Sequence, residues 1–222
     1  MNSSSDNNAN ALSEKLLKWW AENQRKFPWR KTRDAYKILI SEVLLHRTRA
    51  EQVVPVYNEF IVKLPTSKDL SMVSSDDIKK LLYPLGLHWR TELLHKMSVL
   101  IAEKYGGKIP STRRELESLP GVSHYIASAV RCFAFGYPEA LLDTNIVRIL
   151  GRIFDVQVTD GSRRSKCFQE LSESILDKKN SREFNYALID LGALVCKPRN
   201  PLCKVCPLNC LCKYRIGKLR SF

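Results

Sequence analysis

Four cysteines fall at positions 196, 203, 206 and 212, a Cys-x6-Cys-x2-Cys-x5-Cys spacing contained in seventeen residues. With Pro198, Pro201 and Pro207 forcing turns between them, these thiols have to close into one compact loop, which suits a soft metal centre. Two ligations match four thiolates: a [4Fe–4S] cluster or a single zinc ion. Zinc ribbons pair two Cys-x2-Cys knuckles across a longer run, whereas only Cys203 and Cys206 form a close pair here, so the spacing favours the cluster. Cys210 is a spare fifth thiol, and Cys132 and Cys167, set in apolar helical patterns, are expected in the core. Seven cysteines, an odd number, argue for ligation in a reducing compartment over a disulfide framework.

The same loop is crowded with Lys197, Arg199, Lys204, Lys213, Arg215, Lys218 and Arg220, and the 222-residue chain carries a formal net charge of +13. A charge of that size predicts attraction to a polyanion. Nucleic acid is the first expectation, with an acidic protein or an anionic lipid surface as the other classes. No stretch approaches eighteen consecutive apolar residues, so no membrane partner is expected. Residues 1–10 are polar and rich in Asn and Ser, without the basic and apolar regions of a signal peptide; they predict a disordered lead on an intracellular protein of the cytoplasm or nucleoid.

The chain reads as all-α. Apolar residues recur at three- and four-residue spacing through 12–20, 36–45, 53–64, 78–82, 93–101, 125–135, 146–154, 168–176 and 184–195. Asp34 precedes one of these runs as an N-cap, and Thr112 to Glu115 make a capping-box pattern. Only Val156 to Thr159 looks β-like. Between a short capped helix and an apolar one lies Leu119-Pro120-Gly121-Val122-Ser123-His124-Tyr125, a helix-hairpin-helix pattern. The backbone N–H groups of its Pro-Gly turn and of the following helix can point at a phosphate oxygen; an ordinary turn between helices is the alternative. The usual pattern has a second glycine where Ser123 stands, and a positive φ there would cost serine roughly 1–2 kcal/mol.

Two carboxyls stand out. Asp143 follows Leu141 and Leu142 and opens the helical run from Thr144, where an N-cap role alone would account for it. A carboxylate fixed in that position can also stabilise developing positive charge and orient water. Glu42 lies in an apolar helix, with Ile38, Leu39 and Leu45 on its face. A carboxyl there is costly without a partner or a function, and desolvation should raise its pKa toward that of a proton donor. A Glu angled to solvent or paired with Arg47 is the alternative.

With the hairpin, the run Ala140-Leu141-Leu142-Asp143-Thr144-Asn145-Ile146-Val147-Arg148-Ile149-Leu150 and the terminal cysteines, residues 25–215 resemble the helix-hairpin-helix-GPD superfamily of DNA glycosylases. Arg25 to Arg30 and Tyr36 to Thr48 look like the MutY adenine glycosylase branch and, more closely, the Mig-type thymine mismatch glycosylases. The resemblance implies two helical lobes round a central DNA-binding cleft: a six-helix lobe at 31–142 carrying the hairpin, and a cluster lobe from 11–30 plus 143–222. It implies catalytic roles for Asp143 and Glu42, with Pro120, Gly121, Val122 and Ser123 on the DNA backbone.

Position 125 separates the branches, being lysine in endonuclease III, serine in MutY and tyrosine in Mig-type enzymes. Tyr125 cannot form a Schiff base, so a monofunctional glycosylase leaving an abasic site is expected; a core aromatic is the alternative. Residues 46–48 and 86–89 occupy the family's two duplex-probing loops, where Arg47, Leu87 and His88 are candidates to fill the gap left by a flipped nucleotide. The expected partner is double-stranded DNA with a mismatched base, bound by a monomer. Tyr125, Arg47 and the absence of a further domain after the cysteines favour thymine or uracil opposite guanine. Adenine opposite guanine or 8-oxoguanine, and a non-catalytic mismatch-binding cluster protein, are the alternatives.

Overall fold

The computed structural model describes the backbone of residues 3–86 and 88–220, with side chains throughout except at 3–8, 88 and 218–220. It is all-helical, with no strand among the described residues. In chain order the helices are α1 (Ser3–Asn23), α2 (Ala35–Leu45), α3 (Ala50–Lys63), α4 (Ser67–Met72), α5 (Ser75–Leu82), α6 (His88–Tyr105), α7 (Arg113–Glu117), α8 (His124–Phe133), α9 (Thr144–Phe154), α10 (Lys166–Ser174), α11 (Ser181–Leu194) and α12 (Lys213–Arg220), joined by short 3-10 turns. No helix among them is long and apolar enough to cross a membrane. The chain divides into two compact units, residues 26–136 and residues 1–25 with 137–222.

Residues 26–136 hold α2 to α8. Helix α2 starts where Asp34 caps it, its carboxylate accepting from the Lys37 N–H at 2.9 Å. It is buried all round from Ile38 to Leu44 and packs on α3 and α8, while α6 packs on α4 and α5. Helix α4, only six residues long, is too short to show a period, yet its capping box of Thr66 and Asp69 marks its start. With it, this unit has seven α-helical segments among the described residues where six were expected.

In the other unit α1 packs on α11, and α9 packs on α10, α11 and α12. Leu12 and Leu16 are buried, and the fully buried Asp190 of α11 accepts from Trp20 Nε1 at 2.9 Å and Arg25 Nε at 2.6 Å. That buried carboxylate is therefore paired, as its burial demands. Because α1 is anchored here, it extends back to Ser3, through most of the segment expected to be a disordered lead. Once nucleated, each added residue fixes only its own dihedrals. Cys132 is in the core as expected, but Cys167 is exposed. Helix α10 buries Phe168 and Ser172, one turn apart, and Cys167 sits about 100° round the helix from that face.

Candidate active site and cysteine cavity

Asp143 is the N-cap of α9. Its Oδ1 accepts from the Ile146 N–H at 2.7 Å and its Oδ2 from Asn145 Nδ2 at 2.9 Å. Surrounding protein desolvates the carboxyl and raises its pKa, against the Ile146 and Asn145 hydrogen bonds and the Arg148 charge, which lower it. Part of its surface still reaches solvent. Two neighbours hold the loop that leads to it: buried Asn185 donates to Glu139 O at 2.9 Å and accepts from Leu141 N at 3.3 Å, and Ser172 donates to Leu141 O. The carboxyl group is thus held by two hydrogen bonds and partly desolvated at a helix end.

A polar chain runs along one face of α9 from that end. Arg148 Nη2 donates to Asn145 Oδ1 at 3.0 Å and to Gly192 O at 2.9 Å, and Arg148 Nε donates to Cys196 O at 2.9 Å. A guanidinium has no acceptor, so it fixes the Asn145 amide with its oxygen toward Arg148 and its NH2 toward Asp143. One turn further, Arg152 reaches Cys196 Sγ at 3.3 Å, Lys197 O at 2.8 Å and Pro198 O at 2.9 Å. Asn145, Arg148 and Arg152 are functional positions that no motif announces; their i, i+3, i+7 spacing on an otherwise apolar helix is the one signal they leave in the sequence.

Cys196, Cys203, Cys206 and Cys212 line one cavity together with Arg152, Pro201 and Tyr214. Burial first, and then the crowding of the other three thiols, pushes Cys206 up to about 11. Burial likewise raises Cys212, so these two thiols resist ionisation when free; a bound cation centre would reverse that, since a coordinating thiol is deprotonated outright. Among the described residues no three His, Cys, Asp or Glu groups converge on a point that a single metal ion could occupy. Cys210 is exposed. From residue 191 to the end there are seven Lys and Arg and no Asp or Glu.

The other candidates belong to residues 26–136. Glu42 is buried in α2, 7% exposed. Tyr125 is half-buried in the first turn of α8. In the hairpin turn, Gly121 takes φ +79, a value glycine adopts without penalty, and Pro120 is half-buried with Val122 in the core. Ser123 has φ −81, extended backbone, and caps α8 by accepting from Ile126 N. The strain expected for a serine at this position is absent, because only Gly121 needs the left-handed region. Arg47 is exposed with φ +64 in the loop after α2. Leu87 lies outside the described residues, and so does the side chain of His88, whose backbone begins α6.

A family profile described as "HhH-GPD superfamily base excision DNA repair protein" matches residues 40–175. A thymine/uracil-DNA glycosylase of Methanothermobacter thermautotrophicus is 38% identical over 200 residues, 90% of each chain. A thymine-DNA glycosylase of Aeropyrum pernix is 39% identical over 212 residues, 92% of this chain and 94% of the relative. Among solved structures, that of a thermostable thymine-DNA glycosylase matches with a TM-score of 0.89 and 35% identity, covering 97% of this chain and 100% of the other.

Proposed function

Because the chain belongs to the HhH-GPD superfamily of base excision DNA repair proteins, we propose that it is a monofunctional DNA glycosylase that removes thymine or uracil mispaired with guanine. Relatives named for thymine and uracil, 37–39% identical over most of the chain, support that substrate class. The observation that carries the reading is Asp143: a carboxylate held by two hydrogen bonds at a helix end and desolvated by its surroundings.

Breaking an N-glycosidic bond leaves positive charge on the sugar, and a fixed carboxylate needs no reorganisation to stabilise it. In this reading Asp143 provides that charge and aligns water for attack at C1′. Glu42, buried on α2, donates a proton or hydrogen bond to the departing base. Tyr125 offers no amine, so no Schiff base forms, the backbone stays intact and the product is an abasic site. Pro120, Gly121, Val122 and Ser123 bind phosphate through the turn and the N-terminus of α8, and Arg47 with Leu87 and His88 fills the space the extruded base leaves. The partner is double-stranded DNA containing the mismatch, bound by a single copy of the chain.

The superfamily includes iron–sulfur glycosylases, and the four thiols round one cavity fit such a group. Cys196, Cys203, Cys206 and Cys212 would hold a [4Fe–4S] cluster, with Arg152 beside Cys196 Sγ. When bound, the cluster supplies a rigid anchor for the basic segment around it.

The test is base release from T·G, U·G, A·G and A·8-oxoguanine duplexes, with and without alkali. Release of thymine or uracil, with strand breakage only after alkali, is expected. Release of adenine alone would make the chain an adenine glycosylase, and tight mismatch binding without any release would make it a binding protein.

A further inference from the structure

Arg90 is 3% exposed, a degree of burial that an arginine tolerates only when its guanidinium is satisfied. It sits in the first turn of α6, directly after Trp89. Its guanidinium donates to the carbonyls of Val43 and His46 and to His46 Nδ1. These are the end of α2 and the start of the loop at 46–48. Since arginine only donates, His46 Nδ1 must be an acceptor, which puts the imidazole proton on Nε2. The Trp89 ring completes the junction, with its centroid 4.6 Å from the Arg90 guanidinium carbon and 6.5 Å from the His46 ring, which it meets edge-on.

Close packing does not secure this junction from below. A cavity of about 110 Å³ lies against it, walled by Val43, Leu93, Met97 and Ile126 and reaching the hairpin at Pro120 and Gly121. The planar fork of Arg90 donors and the Trp89 ring therefore join the loop at 46–48 to the start of α6. Burial, and then the like charge of Arg47, lowers the Arg90 pKa to about 10, which leaves it charged at neutral pH and sets Arg47 within its field. Mutual repulsion favours Arg47 turned away from Arg90.

We propose that Arg90 is a positioning residue that locks the loop at 46–48 to Trp89 at the start of α6, so that Arg47 and Trp89 meet a base stack as one unit when the mispaired base is extruded. The proposal rests on the glycosylase reading above. A wedge acts by holding the duplex open against restacking, which costs a few kcal/mol, and a loop free to recoil cannot hold that load. Lysine cannot replace the fork, because it offers a point charge and not a planar set of donors.

The experiment compares Arg90→Lys with wild type in single-turnover release of the same base from two duplexes, one with the base paired in a mismatch and one with it already unpaired in a bulge. Wild type is measured first; if it releases no base from either, the glycosylase reading fails and not this inference. Arg90→Lys should be at least about tenfold slower on the mismatch and within about twofold on the bulge, where extrusion is already done. Because His46 is exposed, His46→Ala should fold whatever Arg90→Lys does, and should show the same selective loss. In the double variant the two losses should not multiply. Equal losses on both substrates, unchanged rates on the mismatch, or losses that multiply would each overturn the proposal.

Discussion

Replacing Asp143 separates its role as a helix cap from its role in chemistry, because asparagine caps a helix about as well as aspartate and alanine does not. In Asp143→Asn the side-chain oxygen can still accept from Ile146 N, as Oδ1 does now at 2.7 Å. The second bond is lost: Asn145 is fixed by Arg148 with its NH2 toward position 143, so two NH2 groups would face each other. That loss costs about 1 kcal/mol. Removing a desolvated negative charge offsets it, so Asp143→Asn should melt close to wild type. Asp143→Ala loses the cap as well, about 1 kcal/mol more, or roughly 2–4 °C in Tm for a chain of this size. Base release should behave differently: both variants should fall at least roughly 10²-fold in single turnover, equivalent to about 2.7 kcal/mol of transition-state stabilisation, with mismatch affinity within a few-fold. Calorimetry and single-turnover assays on the three proteins check this. Near-normal release by Asp143→Asn would reduce Asp143 to a cap, and an asparagine variant as unstable as the alanine one would refute the cap geometry.

Asn145→Ala should slow base release about tenfold, and combined with Asp143→Asn should add little, since both act through the same hydrogen bond. Release by wild type should decline on acidification with an apparent pKa above 3.8, because burial raises that of Asp143 and the ionised form is the active one; an acid limb below 3.8 would contradict this. The stability contribution has the opposite sign. The folded state binds this proton more tightly than the unfolded state, so the contribution is full below the unfolded pKa and is lost as pH rises through the folded one. Tyr125→Lys should acquire strand nicking and a borohydride-trapped protein–DNA adduct that wild type lacks, and a folded variant that traps nothing would return Tyr125 to the core. Anaerobically purified protein should be brown with on the order of four irons per chain, and Cys203→Ser should lose iron and DNA affinity together; stoichiometric zinc would overturn the cluster.

What the sequence made legible was local. The cysteine spacing placed four thiols together because proline-rich chain has few ways to run between them. Asp34 and the Thr112 to Glu115 pattern marked helix starts because caps satisfy backbone groups within three residues. Long-range partners were not legible. No local pattern marks Arg90, Asn185 or Asp190, whose burial is decided by carbonyls and side chains brought close by tertiary packing. At Ser123 one sequence position can satisfy either a φ requirement or a capping requirement, and only the backbone shows that it is the cap. Cys167 was misplaced because a single residue beside a buried phenylalanine carries no phase of its own.

Helix α9 serves as a ruler with two fixed ends. Asp143 caps one end and Arg152 grips the cysteine loop near the other, nine residues away, which is about 13.5 Å of rise. Asn145, Arg148 and Arg152 meet their partners only while they share one azimuth. Substitution at a single intervening position can leave that alignment intact. Loss or gain of one residue cannot, since it turns everything beyond it by about 100° and moves it by about 1.5 Å. The stretch from 143 to 152 should therefore accept changes of letter while refusing any change of length, a constraint on how such a chain can drift that neither end imposes alone.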